Sequence, residues 1–264
     1  MRIAVVGGGP GGLYFAALAK QLGPRHDITL WERNAPDDTF GFGVVFSDET
    51  LGGIEHADTA IYAAMSQTHI VAGVTFIYQD HSLSCEEAAT SMALTHQGIY
   101  VSQDQILGEI GADRRAMYVD AYGRVRWGNP YETFVGNVNG SESNYTGFGT
   151  YYPPLVRVAR AHGARILAYG SMSAATVYAR VIAGHPVVAF ATWDWQWHPR
   201  RDYLSFDGQW IPWIGPVYAS HVYTVVGVSP GQVLVNDPIR GQYWISKAAF
   251  EAGYSDFNEA IVFA

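Results

Sequence analysis

The chain has one cysteine, few charged residues and no long apolar run. A single cysteine excludes an internal disulfide and a multi-cysteine zinc site. The net charge is −8 and there is no run of Lys or Arg, so the sequence lacks the basic footprint that nucleic acids and anionic membranes require. Because no stretch of 18 apolar residues occurs, we expect no membrane span.

The amino end does not have the pattern of a signal peptide, since the segment 1–12 turns glycine-rich before any long apolar stretch is reached. The expected location is therefore the cytoplasm. What the sequence does have is 48% hydrophobic residues in 264 positions, which is typical of a folded globular protein with room for two domains.

Two patterns follow each other along the chain. Residues 1–66 read as strand, helix, strand and then a turn-rich stretch, which predicts a β-α-β unit; residues 71–264 place helices first and strands later, which predicts an α+β domain. In the first part we predict strands at 2–7 and 27–32, a helix at 11–23 and a weak helix at 59–65. In the second part we predict helices at 84–98, 102–111, 153–162 and 173–184, and strands at 165–169, 186–193, 221–229, 232–237 and 259–263.

Cys85 lies where a helix is predicted to begin. Ser84 and Glu87 have the S-x-x-E spacing of a capping box, which makes Ser84 the N-cap and places Cys85 in the first helical turn. A helix N-terminus stabilises anions, so it favours the thiolate that acyl transfer needs. Glu86 and Glu87 would oppose the thiolate if they lay close to the sulfur, and a partner base would have to outweigh them. The alternative is that Cys85 has no catalytic role and packs as a small buried hydrophobic residue.

His221 is the candidate base. It begins a predicted strand that turns at Ser229–Gly231 and returns through 232–237. If this hairpin is centred on Ser229, His221 lies opposite Asp237, and directly opposed residues point to the same face of a sheet. Asp237 would then orient the imidazole, although a slip of one residue would break the pairing. The alternative for His221 is a histidine that packs in the core, and the alternative for Asp237 is an ordinary Asn-Asp-Pro turn.

Gln79 completes a set that resembles a known family. It precedes Cys85 by six residues (85 − 79 = 6), where a side-chain amide can join the backbone N–H of Cys85 in an oxyanion hole. Gln79, the helix-opening Cys85, the strand-opening His221 and the Asn-Asp-Pro at 236–238 resemble the papain-like clan, and within it the bacteriocin-processing (double-glycine leader) peptidases and their stand-alone relatives. The resemblance covers about 71–264.

This resemblance implies a papain-like domain with a helical part and an antiparallel sheet. It also implies roles for four residues: Cys85 as nucleophile, His221 as general base, Asp237 as orienter and Gln79 as oxyanion donor. The partner it implies is a peptide or protein substrate, and hydrolysis of this kind requires no cofactor. Relatives of the domain are often exported.

Histidine and tryptophan supply two further observations. His81 lies four residues before Cys85, but no second ligand is near it, so no metal site is predicted. Trp193, Trp195 and Trp197 alternate, which predicts that they share one face of a strand. They are expected either to pack in the core or to form the wall of a substrate cleft just upstream of His221.

Gly7, Gly9 and Gly12 form a G-x-G-x-x-G between a strand and a helix, and Glu32 ends the next strand. This is the dinucleotide-binding pattern in its required context. Together with Glu32-Arg33 and the glycines at 41–43, it makes the first 60 residues resemble the amino end of flavin-dependent aromatic monooxygenases, which implies FAD as cofactor. The later Gly-Asp motif and the substrate sheet of such enzymes are missing from the sequence, so we do not expect hydroxylation.

Three hypotheses result. The leading one is a cysteine peptidase-type hydrolase acting through an acyl-enzyme on Cys85. The second is an FAD-binding oxidoreductase fragment that uses Gly7, Gly9, Gly12 and Glu32. The third is a catalytically silent papain-like module that binds peptides through its tryptophans.

Overall fold

A computed structural model describes residues 1–7, 9–32, 53–54, 57–58 and 67–264. They form two compact units, Met1–Gln67 and Thr68–Ala264. The predicted helix at 59–65, Arg33 and the glycines at 41–43 lie outside the described residues.

In the first unit two parallel strands are joined by a helix, as the sequence predicts. The strands are β1 (Arg2–Val6) and β2 (Asp27–Trp31), which pair in continuous register, and the helix is α1 (Pro10–Leu22). Proline at the first helical position has no N–H to leave unsatisfied and has φ already suited to a helix.

The second unit has an antiparallel sheet of seven strands at its centre. Its helices are α2 (Cys85–Thr95), α3 (Gln103–Ile110), α4 (Tyr152–Ala161), α5 (Ala174–Ile182) and α6 (Lys247–Tyr254). The strands of the central sheet are β3 (His69–Ile70), β9 (Ile166–Ser171), β10 (Val187–Thr192), β13 (Ser220–Val228), β14 (Gln232–Asp237), β15 (Gly241–Ser246) and β16 (Glu259–Phe263).

The strand order in this sheet is β15-β14-β13-β10-β16-β9, with β3 paired to β13. Short strands form two smaller sheets. Those strands are β4 (Ala112–Asp113), β5 (Tyr118–Val119), β6 (Val125–Trp127), β7 (Phe134–Gly136), β8 (Gly147–Gly149), β11 (Tyr203–Ser205) and β12 (Trp210–Ile211).

Helices cover both faces of the central sheet. Successive residues of a strand point to opposite faces, so Val222 packs in the core that contains α2, whereas Tyr223 packs in a second core with residues of α5 and α6. Helix α2 is buried along its whole length, and the Thr224 hydroxyl of β13 donates a hydrogen bond of 3.0 Å to the Ala89 carbonyl. The sheet thus positions the amino end of α2 beside the start of β13.

The predicted α+β fold is confirmed, and the five predicted strands of the second unit are all present within one or two residues. Strand β15 and helix α6 were not predicted from the sequence. Strand β15 is only partly buried and lies at the edge of the sheet, so its apolar pattern is weak; its place is decided by pairing with β14. In the part of the chain that the structure describes, none of the helices has the length and apolarity that crossing a bilayer requires.

Candidate active site

Cys85 is the first residue of α2, as predicted, but the predicted capping box is wrong. Ser84 precedes the helix without capping it: its hydroxyl donates to the Gln103 side chain at 2.8 Å and accepts from the His81 N–H at 3.1 Å. Glu87 does not reach back to Ser84; it is buried, and within the described part of the chain neither carboxyl oxygen has a side-chain hydrogen-bond partner. The long-range bond to Gln103 replaces the local cap that the spacing favours.

Cys85 is 8% exposed as a residue, and its thiol donates a hydrogen bond of 3.2 Å to Oε2 of Glu86. Burial raises the pKa of the Cys85 thiol well above its ordinary value, and Glu86 and Glu87 raise it further. The backbone N–H of Val222 acts in the opposite direction. In this state the sulfur is protonated at neutral pH.

His221 and Asp237 meet on one face of the sheet. Nε2 of His221 lies 2.9 Å from Oδ1 of Asp237, and both side chains are buried. The hydrogen bond occupies Nε2 and leaves Nδ1 as the imidazole nitrogen available to a second partner.

The register that brings these residues together differs from the predicted one. A hairpin centred on Ser229 would pair Thr224 with Leu234, whereas Thr224 pairs with Asn236, two residues further on. A shift of two residues keeps the face of every side chain, so His221 and Asp237 still meet, as diagonal rather than directly opposed neighbours. The predicted register was wrong, but the predicted contact is present.

A β-bulge makes this possible. Between the turn and the bulge, Val228 pairs with Val233 and Gly227 with Leu234; beyond it, Val225 pairs with Val235. Val226 is therefore the extra residue, and its carbonyl accepts a hydrogen bond of 2.8 Å from the N–H of Val71. Without this extra residue every pairing beyond it would move by one, and His221 and Asp237 would lie on opposite faces.

Asp237 has more partners than the sequence predicted. Its Oδ2 accepts from Nε of Arg240 at 2.6 Å and from the hydroxyl of Tyr243 at 2.9 Å, and its Oδ1 accepts from the N–H of Ile239 at 2.9 Å. Burial raises the pKa of Asp237, but the hydrogen bonds from His221 and the backbone outweigh it, so the pKa lies below its ordinary value. The pKa of His221 is lowered, because burial outweighs the effect of Asp237. The pair is thus a carboxylate and a neutral imidazole at pH 7.

The side-chain amide of Gln79 is hydrogen-bonded to the loop that precedes α2. Its Nε2 donates to the carbonyls of His81, at 2.7 Å, and Ser82, at 3.0 Å, while Oε1 is buried with no hydrogen-bond partner among the described residues. Both amide hydrogens are committed to the loop that leads into α2. A role as oxyanion donor therefore requires rotation of the amide, and that role stays a prediction.

A cavity of about 260 Å³ brings the predicted residues together. Gln79, Cys85 and His221 all line it, and Asp237 lies behind His221. Among the described residues, the hydrogen bond of the sulfur goes to Glu86, and none joins it to the imidazole. The other residues at the cavity are Ser82, Leu83, Ser141, Glu142, Ser143, Trp193, Pro216, Val217, Ala219, Ser220 and Ile239.

The three alternating tryptophans do not share a strand face, because β10 ends at Thr192 and the chain turns. Trp193 lines the cavity and lies edge-on to the His221 ring at 5.0 Å. Trp195 stacks on Tyr223 in the core, with its backbone at φ 57°, and Trp197 is exposed. The cleft-wall interpretation thus applies to Trp193, and core packing to Trp195.

Two buried carboxyl groups add to the site: Glu86, which the sequence analysis considered as a group that would oppose the thiolate, and Glu142, which it missed. Burial raises the pKa of Glu86 to about 7, even though Cys85 and the N–H of Thr150 donate hydrogen bonds to it. Burial also raises the pKa of Glu142 to about 8, although the N–H and hydroxyl of Ser220 both donate to its carboxyl. Glu142 lies in the loop between β7 and β8, and no local pattern in the sequence predicts that this loop contacts the start of β13.

The first unit offers a separate candidate site at the glycine turn. Gly7 has φ 103°, and a Cβ on Gly12 would lie 1.9 Å from the carbonyl oxygen of Gly7, so both positions need glycine. Among the described residues, nothing lies within 4 Å of a Cβ placed on Gly9. The turn therefore fits the pyrophosphate of a dinucleotide, for which the amino end of α1 supplies N–H groups. Glu32 follows β2 and is exposed, at the position that would meet a ribose.

Comparisons with known proteins match the two units to different families. Residues 71–262 match the model of the peptidase C39-like family, and residues 5–60 match that of an NAD(P)-binding Rossmann-like domain. A solved structure described as a C39-like peptidase from Bacillus anthracis has a TM-score of 0.62 at 24% identity, covering 75% of this chain and 97% of that one. At this identity the likeness shows the fold.

Two curated relatives match the amino end. The chain is 52% identical over 67 residues to a salicyloyl-CoA 5-hydroxylase from Streptomyces sp, and 49% identical over 45 residues to a 3-hydroxy-4-methyl-anthranilyl aryl-carrier protein 5-monooxygenase from Streptosporangium sibiricum. These matches cover 25% and 17% of this chain and 13% of either relative. The chain thus spans a small part of the length of the monooxygenases that it matches.

Proposed function

Because the chain belongs to the peptidase C39-like family, we propose that its second unit is a cysteine peptidase-type hydrolase that cleaves a peptide or amide bond through an acyl-enzyme on Cys85. We assign this domain to 71–264 and the partial dinucleotide-binding segment to 1–66. The observation that supports the proposal is the cavity that Cys85 and His221 both line, with Nε2 of His221 bound to Asp237.

In the proposed reaction Nδ1 of His221 takes the thiol proton, since Nε2 is bound to Asp237. The sulfur then forms a bond to the substrate carbonyl carbon, and the imidazolium returns the proton to the leaving amine as the C–N bond breaks. A water molecule, deprotonated by the same imidazole, hydrolyses the thioester and restores the thiol. Asp237 stabilises the imidazolium that forms between these steps.

Stabilisation of the oxyanion falls to the backbone N–H of Cys85 and, after its amide rotates away from the loop carbonyls, to Gln79. Trp193 and the apolar side chains of Leu83, Val217 and Ile239 line the cavity around the sulfur, so a peptide substrate would meet an apolar wall there. The substrate class we propose is a peptide or protein.

The decisive experiment is a proteome-derived peptide cleavage screen that compares the wild type with Cys85→Ala. We expect cleavage products that disappear in the variant. Labelling by a thiol-directed electrophile, measured on the wild type and on His221→Ala, separates hydrolase from silent module: an active site loses labelling with the imidazole. Equal cleavage by the wild type and Cys85→Ala would contradict the proposal.

The first unit supports a second candidate function, binding of a dinucleotide such as FAD through Gly7, Gly9, Gly12 and Glu32. The specific observation is the close approach of Gly12 to the Gly7 carbonyl oxygen, which only glycine permits. A bound flavin would supply redox chemistry, but these four residues only bind and orient it. Fluorescence titration with FAD, compared with Gly9→Val, tests the proposal; equal binding by both proteins would contradict it.

A further inference from the structure

The contact that the proposed mechanism leaves unused is the hydrogen bond from the Cys85 thiol to Glu86. Oε2 of Glu86 accepts from the sulfur at 3.2 Å, while Oε1 accepts from the N–H of Thr150 at 3.0 Å. A Cβ at Gly149 would lie 2.0 Å from Oε1, so the glycine there makes room for this carboxyl. The Glu86 carboxyl is therefore anchored at Oε1 by the backbone of Thr150, and its Oε2 contacts the sulfur of Cys85.

No cation balances this carboxyl among the contacts of the described residues. The titratable groups that interact with it are Cys85 and Glu87 on its own helix and Glu142 from the loop between β7 and β8. His221 lines the same cavity as Cys85. Glu87 and Glu142 are buried and have raised pKa values, which makes them predominantly neutral acids at pH 7. His221 is neutral as well, so Glu86 is the group whose charge acts on the sulfur directly.

We propose that Glu86 controls the protonation of the nucleophile. As a carboxylate it accepts the S–H and holds Cys85 as the neutral thiol; as a neutral acid, having taken a proton from solvent, it donates its O–H to the sulfur and favours the thiolate. The inference rests on the proposed function and adds to it that Cys85 becomes more nucleophilic when acid, or a substrate group that donates to Oε2, neutralises the carboxyl charge.

The test is the rate at which iodoacetamide alkylates Cys85 between pH 5.5 and 9. Glu86→Gln keeps an oxygen for the Thr150 N–H and places a neutral donor at the sulfur. Below pH 7 the two proteins should react at similar rates, because Glu86 is neutral in the wild type. Above pH 7 the variant should react faster, by about tenfold near pH 8.5 if the coupling is about one pKa unit.

Glu87→Gln is the matched control, because Glu87 is the next residue, is also buried and, among the contacts that the structure describes, has no hydrogen bond to the sulfur. A ratio of alkylation rates that stays constant with pH in Glu86→Gln, or that changes equally in Glu87→Gln, would overturn the proposal. Peptide cleavage is not measured here, so a failure of this experiment is distinct from a failure of the proposed hydrolysis.

A second measurement does not depend on a change at Glu86. The side-chain carboxyl of Glu86 can be followed by ¹³C NMR in the wild type and in Cys85→Ala. Because the thiol donates to the carboxylate, its removal should move the titration of Glu86 to higher pH. An unchanged titration would show that sulfur and carboxyl are not coupled, which contradicts the proposal.

Discussion

The two units build their candidate sites from different materials. In the first unit the site is a backbone turn between β1 and α1, and its requirements are fulfilled by glycines within six residues of one another. In the second unit the site consists of side chains from α2, β13 and β14, and His221 follows Cys85 by 136 positions (221 − 85 = 136). A site made of backbone groups can be predicted from the spacing of glycines in the sequence, whereas a site made of side chains depends on strand register and burial.

His221→Ala should have the largest effect on the second site and none on the first. If Cys85 depends on His221 as its base, loss of the imidazole should lower kcat/KM for peptide cleavage by about 10³-fold or more, because no base then takes the thiol proton. FAD titration of the first unit should not change. Circular dichroism controls for folding, and full cleavage by a folded variant would contradict the role of His221.

Asp237 separates orientation of the imidazole from stabilisation of its charge. Asp237→Ala should lower kcat/KM by about 10²-fold, because the imidazole loses its anchor and Arg240 loses its carboxylate partner. Asp237→Asn keeps an oxygen that can accept from His221 and should retain more activity at neutral pH. If both variants are equally impaired, the charge rather than the hydrogen bond is what matters.

Gly12→Ala tests the backbone character of the first site. The added Cβ would overlap the Gly7 carbonyl oxygen, so the turn must shift, at a cost of about 1–3 kcal/mol in the free energy of unfolding of that unit. Gly11→Ala is the matched control, since a Cβ there has no neighbour within 4 Å in the described segments. Thermal melting of the two variants should differ, while peptide cleavage should be the same; equal melting would contradict the close approach.

Glu142 tests burial in the second site. Its folded pKa of about 8 lies above its ordinary value, so the contribution of this group to stability is fully present below pH 4.5 and is lost as the pH rises toward 8. Glu142→Gln removes this dependence. Between pH 5 and 8 the wild type should lose on the order of 3 kcal/mol of unfolding free energy relative to the variant. Urea denaturation measures this, and parallel pH dependence would contradict it.

Much of the element order is readable from the sequence. The helix that begins at Cys85, the strand that begins next to His221 and the β-α-β unit around the glycines all follow from short-range patterns, because caps, turns and apolar periodicity involve residues within about four positions. The capping box at Ser84 shows the limit of such patterns. Its spacing is correct, but Gln103, 19 residues away, binds the hydroxyl instead.

The meeting of His221 and Asp237 has a mixed origin. The sequence predicts a hairpin and a shared face, yet the register it suggests is two residues out, and the bulge at Val226 decides which face His221 occupies. No local pattern marks the bulge, because its carbonyl accepts from Val71, which follows β3 and is distant in sequence. The predicted contact between His221 and Asp237 is thus present because of the bulge, which the hairpin pattern in the sequence does not predict.

By itself the sequence determined the two-part organisation, the glycine turn and the placement of a single thiol at a helix start. Those features depend on neighbours along the chain and on residue types that only certain backbone conformations accept. Tertiary structure alone decided that Glu86 lies on the sulfur, that the Gln79 amide points to its own loop and that Glu142 is buried beside Ser220. The physical reason is that burial and hydrogen-bond partners are set by distant segments, and the electrostatics of a site follow from both.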